Sequence, residues 1–255
     1  MKELYPEVRR QEVFKLINQD GQVTVIDLSQ RFNVSEVTIR NDLQALAEQG
    51  LIIRTHGGAI SAGWGAELSL KIRRQKMVNE KDRIGIQSAA LIADGEAVFL
   101  DTSSTALAIV PHLKNRRDIT VISNSIAVAQ AASEWSGINV VMPGGTYKRD
   151  TVSLVGSEGL VMLHNFNIQK GFFGAHGLND PEGLTDVSVA EAEVKHALVG
   201  MCREVIAILD ATKWGRVGLA SFARLEDINM VVTDHQPTGA LAEKLGALAI
   251  QIIIA

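Results

Sequence analysis

Seven short runs of apolar, mostly β-branched residues constrain the fold of this chain more than any other feature. They are AVFL (97–100), ITVIS (119–123), INVVM (138–142), GFFGA (171–175), VIAIL (205–209), MVVT (230–233) and IQIII (250–254). Each is short, and each is apolar at successive positions where a half-exposed strand would alternate. Helix-like stretches such as TALAIVPHL and AVAQAASEW stand between several of them. Strands apolar on both faces and alternating with helices predict a mainly parallel sheet covered by helices. No internal repeat or low-complexity segment is present.

The 255 residues suffice for one large domain or two smaller ones. No apolar run reaches the ~18–20 residues of a membrane span. The start, MKELYPEVRRQEVF, is charged throughout and lacks an apolar signal core. A cytoplasmic protein is expected, with no membrane partner. The single cysteine, Cys202, excludes an internal disulfide. It is read as a small core residue in an apolar helical run. The net charge of −4 argues against indiscriminate polyanion binding. Its distribution is uneven: residues 1–83 hold 13 basic and 11 acidic side chains, and residues 84–255 hold 12 and 18. A nucleic-acid partner for the front end is permitted by this balance, not demanded.

That front end reads as three short helices and a hairpin. Val8, Val13, Leu16 and Ile17 mark an apolar stripe over a first helix, Arg9 to Asn18, broken by Asp20-Gly21. Val25, Leu28 and Phe32 mark a second, interrupted by Asn33. Ser35 caps a third that runs to Gln49, with Gly50 as its stop. Leu51 to Arg54 is strand-like, and Gly57-Gly58 turns the chain before Ala59 and Ile60. On the third helix Ile39, Leu43 and Leu46 share one face, with Ala47 close by. Val37, Asn41 and Gln44 lie opposite, flanked by Thr38 and Arg40. A polar helix face ordinarily meets only water. Three helices at this spacing followed by a wing instead predict a helix-turn-helix, whose second member enters the major groove. Asn and Gln pair bidentately with adenine, Arg with guanine or phosphate, and Val or Thr touches a thymine methyl. Ser35 and the helix start suit a phosphate, and Arg54 and His56 project from the wing.

RRQEVFKLINQDGQVTVIDLSQRFNVSEVTIRNDLQALAEQGLIIRTHGGA closely resembles the N-terminal winged helix-turn-helix of the DeoR family of bacterial transcriptional regulators; VSEVTIRNDL and RTHGGA are the specific elements. The likeness continues through DTSST, VISNS, MPGGT, LDATKWG and VVTD, in the family's order. It implies a repressor of sugar or polyol catabolic genes, released from double-stranded operator DNA by a phosphorylated sugar or polyol. It also implies a C-terminal domain similar to ribose-5-phosphate isomerase, with a phosphate loop at DTSST. The family usually has glycine where this chain has Ser103. A Cβ there is expected to narrow the loop or change its backbone angle.

The domains expected are a winged helix-turn-helix at 1–60, a connector at 61–83, and an α/β effector-binding domain at 84–255. In open parallel sheets, ligands sit at the carboxyl ends of strands. Polar residues fall there: Asp101, Thr102, Ser103, Ser104 and Thr105; Ser123, Asn124 and Ser125; Gly144 and Gly145, then Lys148; Asp210 and Lys213. Asp186, Glu191 and Lys195 are candidate polyol-binding groups. Such residues also belong at ordinary caps and turns. His176 is a further candidate for the same pocket. A sugar-phosphate isomerase with an accessory DNA-binding domain stays open, with Asp186, Glu191 and Lys195 as its acid–base groups. An activator stays open too. No HxH or HxxxH spacing, GxGxxG or P-loop occurs, so no metal site, cofactor or catalytic set is assigned. A homodimer or homotetramer is expected, since dimers read paired half-sites.

Overall fold

The computed structural model describes residues 5–20, 22–49, 51–55, 57–61 and 69–255. The chain divides into two compact units, Met1–Ile72 and Arg73–Ala255. The first holds α1 (Pro6–Asp20), β1 (Gln22–Thr24), α2 (Val25–Phe32), α3 (Glu36–Glu48), β2 (Ile52–Thr55) and β3 (Gly58–Ser61). Thr24 caps α2 by accepting from Asp27 N, and Asn33 ends it in the left-handed region at φ 51°, ψ 47°. The chain turns there, so that Ser35 caps α3 almost at once. Val13, Leu16, Ile17, Val25, Leu28, Ile39, Leu43 and Leu46 close a single core.

Two features differ from the sequence reading. Val8 is 43% exposed. It lies five residues before Val13, about 140° round the helix, and so leaves the stripe. The wing is also larger than a hairpin. β1 pairs antiparallel with β3, which pairs with β2. A strand of three residues running straight into a helix leaves no periodicity to read.

The second unit completes α4 (Leu70–Arg74), which spans the division. It continues with α5 (Val78–Ala90), β4 (Ala97–Leu100), α6 (Ser104–Ile109), β5 (Ile119–Ile122), α7 (Ile126–Ala132), β6 (Ile138–Val141), β7 (Thr146–Lys148) and β8 (Ser153–Val155). Then come β9 (Ile168–Phe173), β10 (Gly177–Asn179), β11 (Gly183–Asp186), α8 (Val189–Val199), β12 (Cys202–Leu209), β13 (Ala220–Ala223), β14 (Met230–Thr233), α9 (Ala240–Ala247) and β15 (Gln251–Ile254). The helix α5 runs unbroken through residue 83.

Each of the seven apolar runs supplies a strand of one sheet, in the order β15-β14-β12-β9-β4-β5-β6. Every pairing in it is parallel. Alternate residues feed two cores. Val98, Leu100, Ile206 and Ile208 join Ile84, Ile109 and Val128 from α5, α6 and α7. Phe99, Phe173 and Ala207 join Val194 and Leu198 of α8, together with Leu184 and Phe222 from a small antiparallel sheet, β10-β11-β13. Burial on both faces explains why the runs are continuously apolar.

β9 and β12 start earlier than their apolar runs. Cys202 pairs with Ile168 and Glu204 with Lys170, so polar residues extend the ladder at the amino ends. Cys202 therefore opens a strand, not a helix, and it is half-buried. Burial pushes its thiol up to about 12.

Candidate functional site

In the first unit, α3 is fixed by charge as well as by its apolar face. Asp42 accepts from Arg9 Nε at 2.6 Å and from Arg10 Nε at 2.9 Å, both on α1. The Asp42 side chain is 2% exposed and that of Arg9 7%. The sequence reading passed over this triad. Its signal was an aspartate beside the apolar positions Ile39, Leu43 and Leu46.

Held from behind, α3 turns Val37, Arg40, Asn41 and Gln44 outward, all exposed, with Thr38 half-buried. Ser35 Oγ accepts from Thr38 N at 3.1 Å. Arg40 pairs with Glu36 at 2.6 Å. From β2, Arg54 Nη1 donates to Gln44 Oε1 at 2.6 Å, so wing and helix present their polar groups together. Gln44 Nε2 donates on to Glu48. These are exposed contacts of small net worth, exchangeable for base edges or phosphates. His56 lies outside the described residues.

In the second unit, strand order reverses between β4 and β9: β5 and β6 extend one way, β12, β14 and β15 the other. The crevice outside the carboxyl ends at such a reversal is where open α/β sheets bind ligands. Asp101 follows β4 and Gly174 follows β9. Asp101 accepts from Gly174 N and Ser103 N, each at 2.9 Å. Lys195 Nζ, from α8, stands 3.0 Å from Asp101 Oδ2 and 2.8 Å from Asp186 Oδ2. It also donates to Gly174 O at 2.8 Å and lies 5.0 Å from the Phe222 ring. Burial alone would lower the lysine, but Asp101, Asp186 and Glu191 outweigh it and hold the ammonium above its ordinary range. Burial likewise pushes the Asp186 carboxyl up, and Lys195 with Arg73 and Val187 N overcome that and hold it down. Glu191 accepts from Thr102 Oγ1 at 2.8 Å and from Ser153 Oγ at 2.6 Å. Thr151 and Ser153 share a hydrogen bond at 2.6 Å. Lys148 Nζ reaches Ser188 Oγ at 2.7 Å.

The structure thus brings together Asp101, Thr102, Asp186, Glu191 and Lys195. Thr151, Ser153 and Ser188 went unnoticed in the sequence. Ser188 was legible, because S-x-x-E before an apolar run marks a helix start; Glu191 N donates to its Oγ at 3.3 Å.

Other candidates turn to the frame. Ser123 Oγ donates to Leu100 O at 2.6 Å, Asn124 Nδ2 to Leu154 O at 3.0 Å, and Ser125 Oγ caps α7. These groups tie β5 to its neighbours. Ser104 and Thr105 are buried in the first turn of α6. Gly144 and Gly145 were expected to admit a ligand to the backbone. A Cβ on Gly145, at φ 143°, would meet Val155 O at 2.6 Å, and Gly144 O lies against Gly159. The close approach there is made by the chain itself. Ser103 sits at φ −74°, ψ 152°, an ordinary cap conformation, and accepts from Ala106 N. Its Cβ needs no altered backbone, because the facing residue is Gly174: a Cβ on Gly174 would fall 2.4 Å from it.

Asp210 is 2% exposed and accepts from Thr212 N at 3.1 Å and from Thr212 Oγ1. Burial lowers Lys213, and Arg216, Arg73 and Lys76 lower it further against the pull of Asp210. His176 is likewise lowered, by burial first and then by Lys213 and Arg216. Among the described residues no cluster suits a metal ion, and no helix is long and apolar enough to cross a membrane.

Residues 9–63 match the DeoR-like helix-turn-helix domain and residues 76–235 the DeoR C terminal sensor domain. The chain is 32% identical to the HTH-type transcriptional regulator GolR of Listeria innocua over 99% of its own length and 100% of that protein's. It is 32% identical to the HTH-type transcriptional repressor GlcR of Bacillus subtilis, covering 98% and 97%. It is 28% identical to the glycerol-3-phosphate regulon repressor of Escherichia coli, covering 96% and 97%. A solved ribose 5-phosphate isomerase A from Methanocaldococcus jannaschii aligns at TM-score 0.39 and 18% identity, over 52% of this chain and 53% of that one. With its helix-turn-helix, its parallel-sheet unit and relatives aligned end to end, the chain belongs to the DeoR family of transcriptional regulators.

Proposed function

We propose that this protein represses a carbohydrate or polyol catabolic operon and releases its operator when a phosphorylated sugar or polyol enters the second unit. The observation that carries the DNA half is the outward face of α3. Val37, Arg40, Asn41 and Gln44 stand exposed on a helix locked to α1 through Asp42, with Arg54 of the wing bonded to Gln44. Rigid backbone with exchangeable polar tips suits base reading in the major groove. Ser35 at the helix start serves a phosphate, Thr38 a thymine methyl, and Arg54 and His56, the latter outside the described residues, the neighbouring backbone or minor groove.

The effector half rests on the crevice at the strand-order reversal. In this reading Lys148, Asp186, Glu191, Lys195 and the 101–105 loop receive the effector as a set. Names such as glycerol-3-phosphate regulon repressor among the relatives support this chemistry. In this reading residues 1–60 form the DNA-binding domain, 61–83 the connector and 84–255 the effector domain. The protein acts in the cytoplasm as a dimer or tetramer, since one small helix-turn-helix reads one half-site. Regulation, not catalysis, is its role in this reading: Thr102 and Ser153 hold Glu191, and Asp101 and Asp186 hold the Lys195 ammonium, contacts that fix both side chains in place.

A fluorescence-anisotropy titration tests the reading, using DNA upstream of the protein's own gene cluster at fixed salt, with and without a panel of sugar and polyol phosphates. Specific binding released by one compound is expected. Arg40→Ala and Asn41→Ala each lose about 1–3 kcal/mol of operator affinity. Unchanged affinity in both sinks the assignment of this face, and strengthening by an effector sinks the repressor sign. Turnover of ribose 5-phosphate above background favours the isomerase instead.

A further inference from the structure

A glutamine amide can meet a base edge in two orders. In one, Oε1 accepts from adenine N6 while Nε2 donates to adenine N7. Turned by 180°, the amide loses that match. A freely turning glutamine also tolerates guanine, whose O6 and N7 both accept from an NH2 group. Its discrimination between the two purines therefore depends on whether the amide is held in one order.

Gln44 is held from both ends. Arg54 Nη1 donates to its Oε1 at 2.6 Å, and its Nε2 donates to Glu48 Oε1 at 2.9 Å. The chemistry of these neighbours fixes the order. A guanidinium only donates, and an ionised carboxylate only accepts. Turning the amide would set NH2 against the guanidinium and oxygen against the carboxylate, so both bonds would become repulsions. Glu48 lies one turn further along α3 and Arg54 comes from β2, so helix and wing each secure one end. In the free protein these bonds lie in water and each alone is worth little. Against DNA, water leaves the groove and the same bonds strengthen. A base can be met without exchanging them. Oε1 has two lone pairs and Nε2 two hydrogens, and among the described residues each atom makes one bond. One acceptor position and one donor remain, the pair that adenine requires. Gln44 is exposed on α3 with Val37 and Asn41, at i, i+4 and i+7.

We infer that Arg54 of the wing is a positioning residue for base recognition: it orients the Gln44 amide, with Glu48 holding the other end, so that Gln44 selects adenine over guanine. The inference rests on the reading of α3 as the DNA-reading helix and deepens it. Arg54 has further N–H groups on its guanidinium, so it can hold the amide and a backbone phosphate together. The two roles differ in what their loss does. Losing a phosphate contact weakens binding to every sequence alike, whereas losing a positioning contact changes the preference at one base pair.

The test uses the full chain and a pool of random-sequence DNA duplexes at fixed salt. Bound duplexes are sequenced, and relative affinities at each base pair are compared for the wild type, Gln44→Ala, Arg54→Met and Arg54→Lys. All three changes fall on exposed side chains. Gln44→Ala should flatten the preference at one base pair of each half-site. At that base pair the wild type should favour adenine over guanine by roughly tenfold or more. Arg54→Met should cut this ratio by about fivefold or more and leave the ratios at other base pairs unchanged. Arg54→Lys still donates to Oε1 but lacks the planar fork, and should fall between. A wild-type preference for any other base at the Gln44-dependent position overturns the inference. So does a uniform weakening by Arg54→Met with the adenine ratio intact. Enrichment that ignores Gln44→Ala also overturns it and leaves the regulator reading standing, whereas no enrichment by the wild type fails both.

Discussion

Removing Asp42 should unfasten the DNA-reading helix. Its carboxylate is 2% exposed and holds two arginines, one of them, Arg9, 7% exposed. Asp42→Ala removes a buried charged partner of that guanidinium, a change that costs about 3–5 kcal/mol. Arg10, at 34% exposure, recovers water and adds little. Small units of this size rarely hold more than roughly 3–5 kcal/mol in their core, so the variant should leave α3 marginal at 25 °C. The contrasting case is Glu36→Gln, which breaks a half-exposed i,i+4 pair with Arg40 worth about 0.3–0.5 kcal/mol. Native-state hydrogen exchange on the full chain, read on peptides within 36–48, resolves the two. Asp42→Ala should raise exchange there by roughly a hundredfold or more and Glu36→Gln by about twofold. Peptides from β4 and β9 report the second unit as an internal reference. Equal effects of the two substitutions would refute the view that the buried triad, beyond the apolar face, seats this helix.

Two further outcomes follow from the second unit. Gly174→Ala drives a methyl to 2.4 Å from Ser103 Cβ and should destabilise by about 1–3 kcal/mol, with Ser103→Gly restoring most of the loss in a double-mutant cycle by chemical denaturation; additive effects would mean the two residues do not contend for one space. Asp186 has a folded-state acidity held below its ordinary value by Lys195 once burial is overcome. Its contribution is therefore present above about pH 4 and lost as pH falls through the lowered value. Asp186→Asn should be less stable at pH 7 and show a shallower acid loss in urea melts; parallel pH profiles would refute the pairing.

The seven strands were legible because burial on both faces leaves a continuous apolar signature, and each apolar run lies in the parallel sheet. Ser35, Asn33 and the Ile39-Leu43-Leu46 face were legible because caps, left-handed turns and helical spacing act within a few residues. What escaped depends on distance along the chain. Asp42 reads as one more polar helix residue until Arg9, 33 positions away, closes on it. Ser103 reads as a strained replacement for glycine until Gly174 is seen to face it. Ser123, Asn124 and Ser125 look like ligand groups at a strand end; in the fold Ser123 Oγ donates to Leu100 O, Asn124 Nδ2 to Leu154 O, and Ser125 Oγ caps α7. A residue's chemistry and its local backbone are written in its neighbours. Whether its charge or hydroxyl remains available depends on which distant groups the packed sheet brings within about 3 Å, since hydrogen bonds and ion pairs decide availability at that range.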